Sequence, residues 1–312
     1  NLKNLGKVLA VLFAILCIGG SIGGGNMFQA NQAFAAIKGI FPSVSNLGPL
    51  FGICLAGLVG FVIIGGIKSI ASVTATLVPF MCGIYMLAGL FVIFVNFGQI
   101  GDALSVIFEG AFMPTAIGGG IIGVMIQGMK RATFSNEAGI GSAPIAHSAA
   151  KTKYAASEGI VALLEPFIDT VVVCTTTALV IIMAGTYDDP ELKGVTMTSA
   201  AFESVISWFP IILTVAVILF AFSTMISWSY YGVQAWSHLF GRSKRAELVY
   251  KLLFCLFVVI GSSLSMSKVF DFSDAMIFAM SVPNVIAMYI LMPKVKDEYA
   301  RYIDYTKSSD AS

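Results

Sequence analysis

Apolar residues gather into runs of about twenty, parted by short breaks rich in charge, glycine or proline. The pattern predicts eight membrane-crossing helices at about 8–36, 47–66, 77–97, 104–129, 157–185, 204–232, 247–266 and 273–293. Each run rises far enough as a helix to cross a hydrocarbon layer of ~30 Å. The expected fold class is therefore an all-α polytopic membrane bundle, with a short charged tail after Pro293.

Charge then orients the spans. With the start of the chain in the cytoplasm, the inner segments collect Lys3, Lys7, Lys68, Lys130, Arg131, Lys151, Lys153, Arg242, Lys244, Arg245, Lys251, Lys294, Lys296, Arg301 and Lys307. Only Lys38, Lys193 and Lys268 fall outside, a positive-inside bias that supports the span count and cytoplasmic ends. Asp188, Asp189, Glu191, Asp271 and Asp274 fall in the opposite loops, where they carry little weight.

Composition narrows the class. Of 312 residues, 57% are hydrophobic and 11% charged, too few charges to cover a soluble globule of that size. The net charge of +1 and dispersed basic residues leave no electrostatic footprint for nucleic acid. Cys17, Cys54, Cys82, Cys174 and Cys255 lie in apolar runs without metal-ligand spacing and read as small hydrophobes. The chain opens at Asn1 rather than Met and enters an apolar helix within a few residues, which is taken to indicate truncation.

Four segments place polar or helix-breaking residues where lipid makes them costly. Gly19 to Gln32 is a glycine patch running into amides, with Gly25, Asn26 and Gln29 on one helical face. It suits either close approach of backbone to a ligand or small-residue helix packing. Glu109 to Gly120 carries Pro114 and a glycine triplet, the marks of a helix broken at membrane depth or of a simple kink. In Ser223 to Tyr231, Thr224, Trp228 and Tyr231 form one stripe, with Ser227 beside it; a pocket wall and an interfacial aromatic belt compete here. Glu165 and Asp169 lie one turn apart around Pro166, suiting a proton site or a protonated structural contact.

No zinc-protease, phosphate-loop, dinucleotide or nucleophile-elbow motif is present. His147 and His238 sit in predicted cytoplasmic connections without a carboxylate constellation, so exposed or capping roles are expected. An intramembrane enzyme built on Glu165 and Asp169 lacks a nucleophile or metal ligands to complete it.

Between the fourth and fifth predicted spans the chain reads Lys130-Arg131-Ala132-Thr133-Phe134-Ser135-Asn136-Glu137-Ala138-Gly139-Ile140-Gly141-Ser142-Ala143-Pro144. This resembles the signature of the alanine or glycine:cation symporter family, in which a basic pair leads into FSNEAG-x-GSAP. GNMFQAN at 25–31, LVPFM at 77–81, FIDT at 167–170, FSTMISWSYYG at 222–232 and FSDAM at 272–276 also look like family segments. From the residues themselves the signature reads as a cytoplasmic elbow, with Ser135 as a cap and Gly139 and Gly141 allowing tight turns, and no substrate contact is assigned to it.

The resemblance implies a LeuT-like inverted repeat, with the eight spans as helices three to ten of ten. Residues 1–103 would be the remainder of the first repeat and 104–293 the second, its first helix broken near 110–120, with 294–312 a cytoplasmic tail. It implies sodium-coupled symport of a small neutral amino acid, alanine or glycine, in a prokaryotic plasma membrane, with no cofactor. A truncated, inactive remnant is the other outcome. The implied substrate pocket maps onto Gly24, Gln29, Thr224 and Trp228, with Met113 and Thr115 from the broken segment, and the implied sodium ligands are Ser223 and Thr224. Ile22-Gly23-Gly24-Gly25 departs from the commoner Phe-Gly-Ile-Gly pattern.

Overall fold

The computed structural model describes residues 3–112 and 120–310, and within them every regular element is helical. The main helices are α1 (Lys3–Ile22), α2 (Phe28–Ile40), α3 (Gly48–Ile64), α4 (Gly66–Val95), α5 (Ile100–Phe112), α6 (Gly120–Asn136) and α7 (Ala143–His147). They are followed by α8 (Ala155–Ala162), α9 (Leu164–Pro166), α10 (Thr175–Met183), α11 (Val195–Glu203), α12 (Phe209–Phe240), α13 (Lys244–Gly261) and α14 (Met266–Asp310). Helices are dictated by the solvent: in lipid only a helix or a closed barrel satisfies its own backbone. The outer face agrees, since Phe61 is 84% exposed and Phe94 76%, with Leu58, Ile64 and Leu87 similarly bare. Five segments, Asn4–Ile40, Gly66–Val95, Ala155–Met183, Phe209–Phe240 and Met266–Ser308, are long and apolar enough to cross a membrane.

Contacts between elements set their directions. α1 packs antiparallel to α14: a side chain on Gly23 would meet Phe272 and Ser273, one on Gly20 would meet Met280, and Phe13 lies near Asn284 around Gly141. The start of α1 and the end of α14 therefore share one face of the bundle, called the near face. On the far face Asn31 Nδ2 donates to the carbonyls of Gly261 and Leu264 (3.2 and 2.7 Å), and Thr214 Oγ1 donates to Ala36 O. These contacts fix the relative directions of α1, α2, α12, α13 and α14 in the bundle.

The route of the fourth crossing differs from expectation. The run predicted at about 104–129 is shared between α5 and α6, and the chain enters the bundle along α6 and leaves it through α7. Lys130 Nζ pairs with Asp274 at 2.8 Å and Arg131 also binds that carboxylate, early in α14. The basic pair thus stands toward the far face, away from Lys153, which lies over the Tyr305 ring near the end of α14. Two residues leave the predicted cytoplasmic set, because a helix interrupted inside the bundle places its polar turn at depth.

Where helices touch most closely, glycine makes room. A side chain on Gly52 would fall 2.7 Å from Val259 Cα of α13 and overlap Ser262 Oγ, whose hydroxyl donates to Gly48 O at 2.8 Å. Gly57, on the same helix, faces open space. Gly52→Leu is expected to lower stability by about 1–3 kcal/mol, seen as a fall in Tm of the detergent-purified protein, while Gly57→Leu leaves Tm unchanged.

Candidate functional site

Three interruptions of helical geometry border the same pair of cavities. The first is a five-residue π-helical turn, Gly23–Met27, between α1 and α2. Such wide turns leave backbone groups available and often mark functional positions. Gln29 Nε2 donates to Gly24 O at 3.0 Å, and buried Asn26 donates to Phe254 O at 2.6 Å. A side chain on Gly24 would overlap Ile277, and one on Gly25 would overlap Trp228. Gly24 and Gly25 both allow close packing, and Gly24 and Gln29 also line a cavity.

The second interruption is the signature segment, and here the expectation of a cytoplasmic elbow is corrected. α6 ends at Asn136, Glu137 takes φ +57°, and Gly139 and Gly141 take φ +83° and +91°. Glu137 is the only non-glycine in the left-handed region among the described residues. The second half of the turn is buried: Ile140 and Ser142 have no exposed surface, and Asn284 Nδ2 of α14 donates to Gly139 O at 2.9 Å, while Ala138 stays exposed. Ser135 does not cap the following helix; its hydroxyl donates to Asp169 Oδ2 at 2.7 Å. Long-range partners on α12 and α14 hold this polar loop inside the bundle, and local sequence carries no trace of them.

The third is a π-helical stretch, Phe167–Cys174, between α9 and α10. It carries Asp169 and Thr170, the latter accepting from Asn136 Nδ2 at 2.8 Å. Glu165 and Asp169 have separate partners: Glu165 Oε1 lies 3.1 Å from His147 Nε2, whose Nδ1 is 2.7 Å from Glu158. His147 therefore does have carboxylates around it, contrary to expectation, because α7 turns back against α8 and α9.

α12 supplies the opposite wall. Trp228 is 3% exposed; its indole N–H donates to Glu137 Oε1 at 2.7 Å and its carbonyl accepts from Ser21 Oγ at 2.6 Å. Tyr231 packs edge-on to the Trp228 ring at 5.3 Å, and both side chains line a cavity. Ser223 is buried and donates to Phe220 O at 2.9 Å.

Two cavities flank this centre. One of about 630 Å³ is lined by Gly24, Gln29, Arg131 and Phe270, among others. A second of about 270 Å³ is lined by His147, Glu165, Asp169, Ser223, Ser227 and Tyr231. Ser135, Glu137, Thr224 and Trp228 line both and form the septum between them. Of the expected pocket, Gly24, Gln29, Thr224 and Trp228 come together at this septum, with Ser223 beside it. Met113, Pro114 and Thr115 lie outside the described residues. Sequence reasoning missed Glu137; its signal was a carboxylate two residues before a glycine, inside the signature. Among the described residues no cluster of three or more His, Cys, Asp or Glu has metal-holding geometry.

Interrupted helices bordering two open cavities that share a septum, within an apolar helical bundle, are an arrangement met in secondary transporters. The chain belongs to the Sodium:alanine symporter family, which it matches over residues 2–312. It is 38% identical over 310 residues to the sodium/alanine symporter AgcS of Methanococcus maripaludis, covering 98% of this chain and 67% of that protein. It is 34% identical to the amino-acid carrier protein AlsT of Bacillus subtilis, over 98% of this chain and 64% of the relative. A probable sodium/glutamine symporter, GlnT, also of Bacillus subtilis, is 32% identical over 92% of this chain and 59% of its own length. The chain thus spans about two thirds of the length of these relatives.

Proposed function

We propose that the protein carries a small neutral amino acid, alanine or glycine, across a prokaryotic plasma membrane together with sodium, by alternating access. The observation that carries this reading is the shared septum: four residues separate two cavities, so a small rearrangement there would connect a bound solute to one side or the other. Gly24 would admit the substrate by lacking a side chain, Gln29 would bond its polar end, and Thr224 would offer a hydroxyl. Trp228 would be the wall that limits side-chain size, with Met113 and Thr115 contributing from the other side. Ser223 and Thr224 would ligate sodium. Residues 1–103 would belong to the first repeat and 104–293 to the second, whose helix is expected to break near 110–120, in part outside the described residues; the interruption at 137–142 would be a further break in that repeat. Both chain ends would face the cytoplasm, the side richer in basic residues.

Each sodium moving inward supplies ~2.3 kcal/mol per 100 mV of potential, enough to concentrate a neutral solute. Turns left unpaired at helix interruptions would hold the zwitterion's charges with backbone groups. In proteoliposomes, a sodium gradient should drive uptake of labelled alanine. Thr224→Val and Trp228→Leu should each reduce it about tenfold or more, the worth of one lost hydrogen bond or packed aromatic wall. Unchanged uptake in both, at normal insertion, would overturn the pocket assignment. Competition by glutamine as strong as by alanine would move the substrate class toward that of GlnT.

A further inference from the structure

The carboxylate of Glu137 is the costliest group in the septum. A carboxylate at this depth carries a large desolvation penalty, far above what satisfying one indole N–H requires. The protein does not treat such an N–H as obligatory: Trp236 Nε1 is buried without a hydrogen-bond partner. A hydroxyl or a carbonyl would have served Trp228 equally well. The backbone of Glu137 is also held in the left-handed region, which a side chain adopts only at a cost.

That cost yields a fixed geometry. Oε1 accepts from the Trp228 indole at 2.7 Å, and Oε2 accepts from the hydroxyl of Ser142, which is wholly buried at the far side of the same turn. The indole is backed by Gly25, where any side chain would collide with it, and its edge is met by Tyr231. Its one polar atom is spent on Glu137, and Glu137 itself lines both cavities. The carboxylate therefore bolts α12 to the broken α6–α7 helix across the septum.

We infer that Glu137 is the positioning residue for substrate size: it holds the Trp228 indole at the depth that limits the side chain a bound amino acid can carry. This rests on the transport reading above, and the experiment separates the two. Alanine and leucine uptake are measured in proteoliposomes of the protein as the cell makes it, as the ratio of Vmax/KM values. Glu137→Ala and Trp228→Phe are each expected to lower the alanine preference about tenfold, the worth of a hydrogen bond to a charged group. The double variant should lower it no further, and Glu137→Gln, which keeps a carbonyl acceptor, should restore most of it. Single effects that multiply in the double variant, or a preference unchanged in both singles, would overturn the inference.

A second readout does not require transport. With every other tryptophan, Trp208 and Trp236 among them, replaced by Phe, the emission of Trp228 should shift in Glu137→Ala and stay in place in Glu137→Gln. No shift in the alanine variant would refute the bolt. A wild type that accumulates no alanine would refute the transport reading alone, with the emission still deciding the role of Glu137.

Discussion

Replacing Gly25 by valine is expected to abolish sodium-driven alanine uptake. A side chain there would fall 2.7 Å from Trp228 Cδ2 and closer still to its Cβ and Cγ. The indole cannot retreat cheaply, because its N–H is bonded to Glu137, its carbonyl to Ser21, and Ser21 in turn to Tyr250 Oη at 2.8 Å. Overpacking of this kind costs about 1–3 kcal/mol when neighbours can shift and more when they are pinned. Uptake in proteoliposomes should fall below a tenth of the wild-type value. Adding Trp228→Ala should relieve the clash and recover thermal stability, but not alanine preference, since the wall is then gone. Uptake by Gly25→Val within twofold of wild type would mean that Trp228 does not bound the site.

Asp274→Ala should show the second large effect. Asp274 is only 6% exposed, yet it answers both Lys130 and Arg131, whose side chains are 34% and 41% exposed. Arg131 also lies over the rings of Phe270 and Phe134, at 4.9 and 5.6 Å, at the rim of the larger cavity. Removing the carboxylate leaves two cations side by side with no counter-charge. Their partial exposure screens the Coulomb part, so the stability loss is expected at about 1–3 kcal/mol rather than the larger penalty of a fully buried pair. Differential scanning of the purified protein should show a lower Tm for Asp274→Ala, partly restored by Lys130→Met in the same chain. A Tm unaffected by Asp274→Ala would show that the ion pairs contribute nothing.

The crossings were legible because a membrane helix is specified locally. Residues 48–64 and 155–183 need only their own apolar side chains and internal hydrogen bonds, and the observed α3 and the α8 to α10 segment lie close to their predicted spans. Lengths were less legible at α4 and α14, which extend beyond their apolar cores at Gly66 and Asp310, because helices run on past the lipid where polar residues take over. Gly24, Gln29, Thr224 and Trp228 could be singled out from composition at depth and from family likeness, but not their meeting at one septum.

Sequence by itself determined an all-helical membrane bundle and membership of a transporter family. Only the tertiary structure decided that the polar turn from Ser135 to Ser142 packs against α12 and α14, with its end from Ile140 to Ser142 buried. Its amides, hydroxyls and carboxylate look like a solvated loop until partners 91 and 145 residues away, Trp228 and Asn284, take up their hydrogen bonds. A polar group tolerates burial when its bonds are satisfied, and satisfaction at that distance is a property of the folded chain, absent from any local pattern.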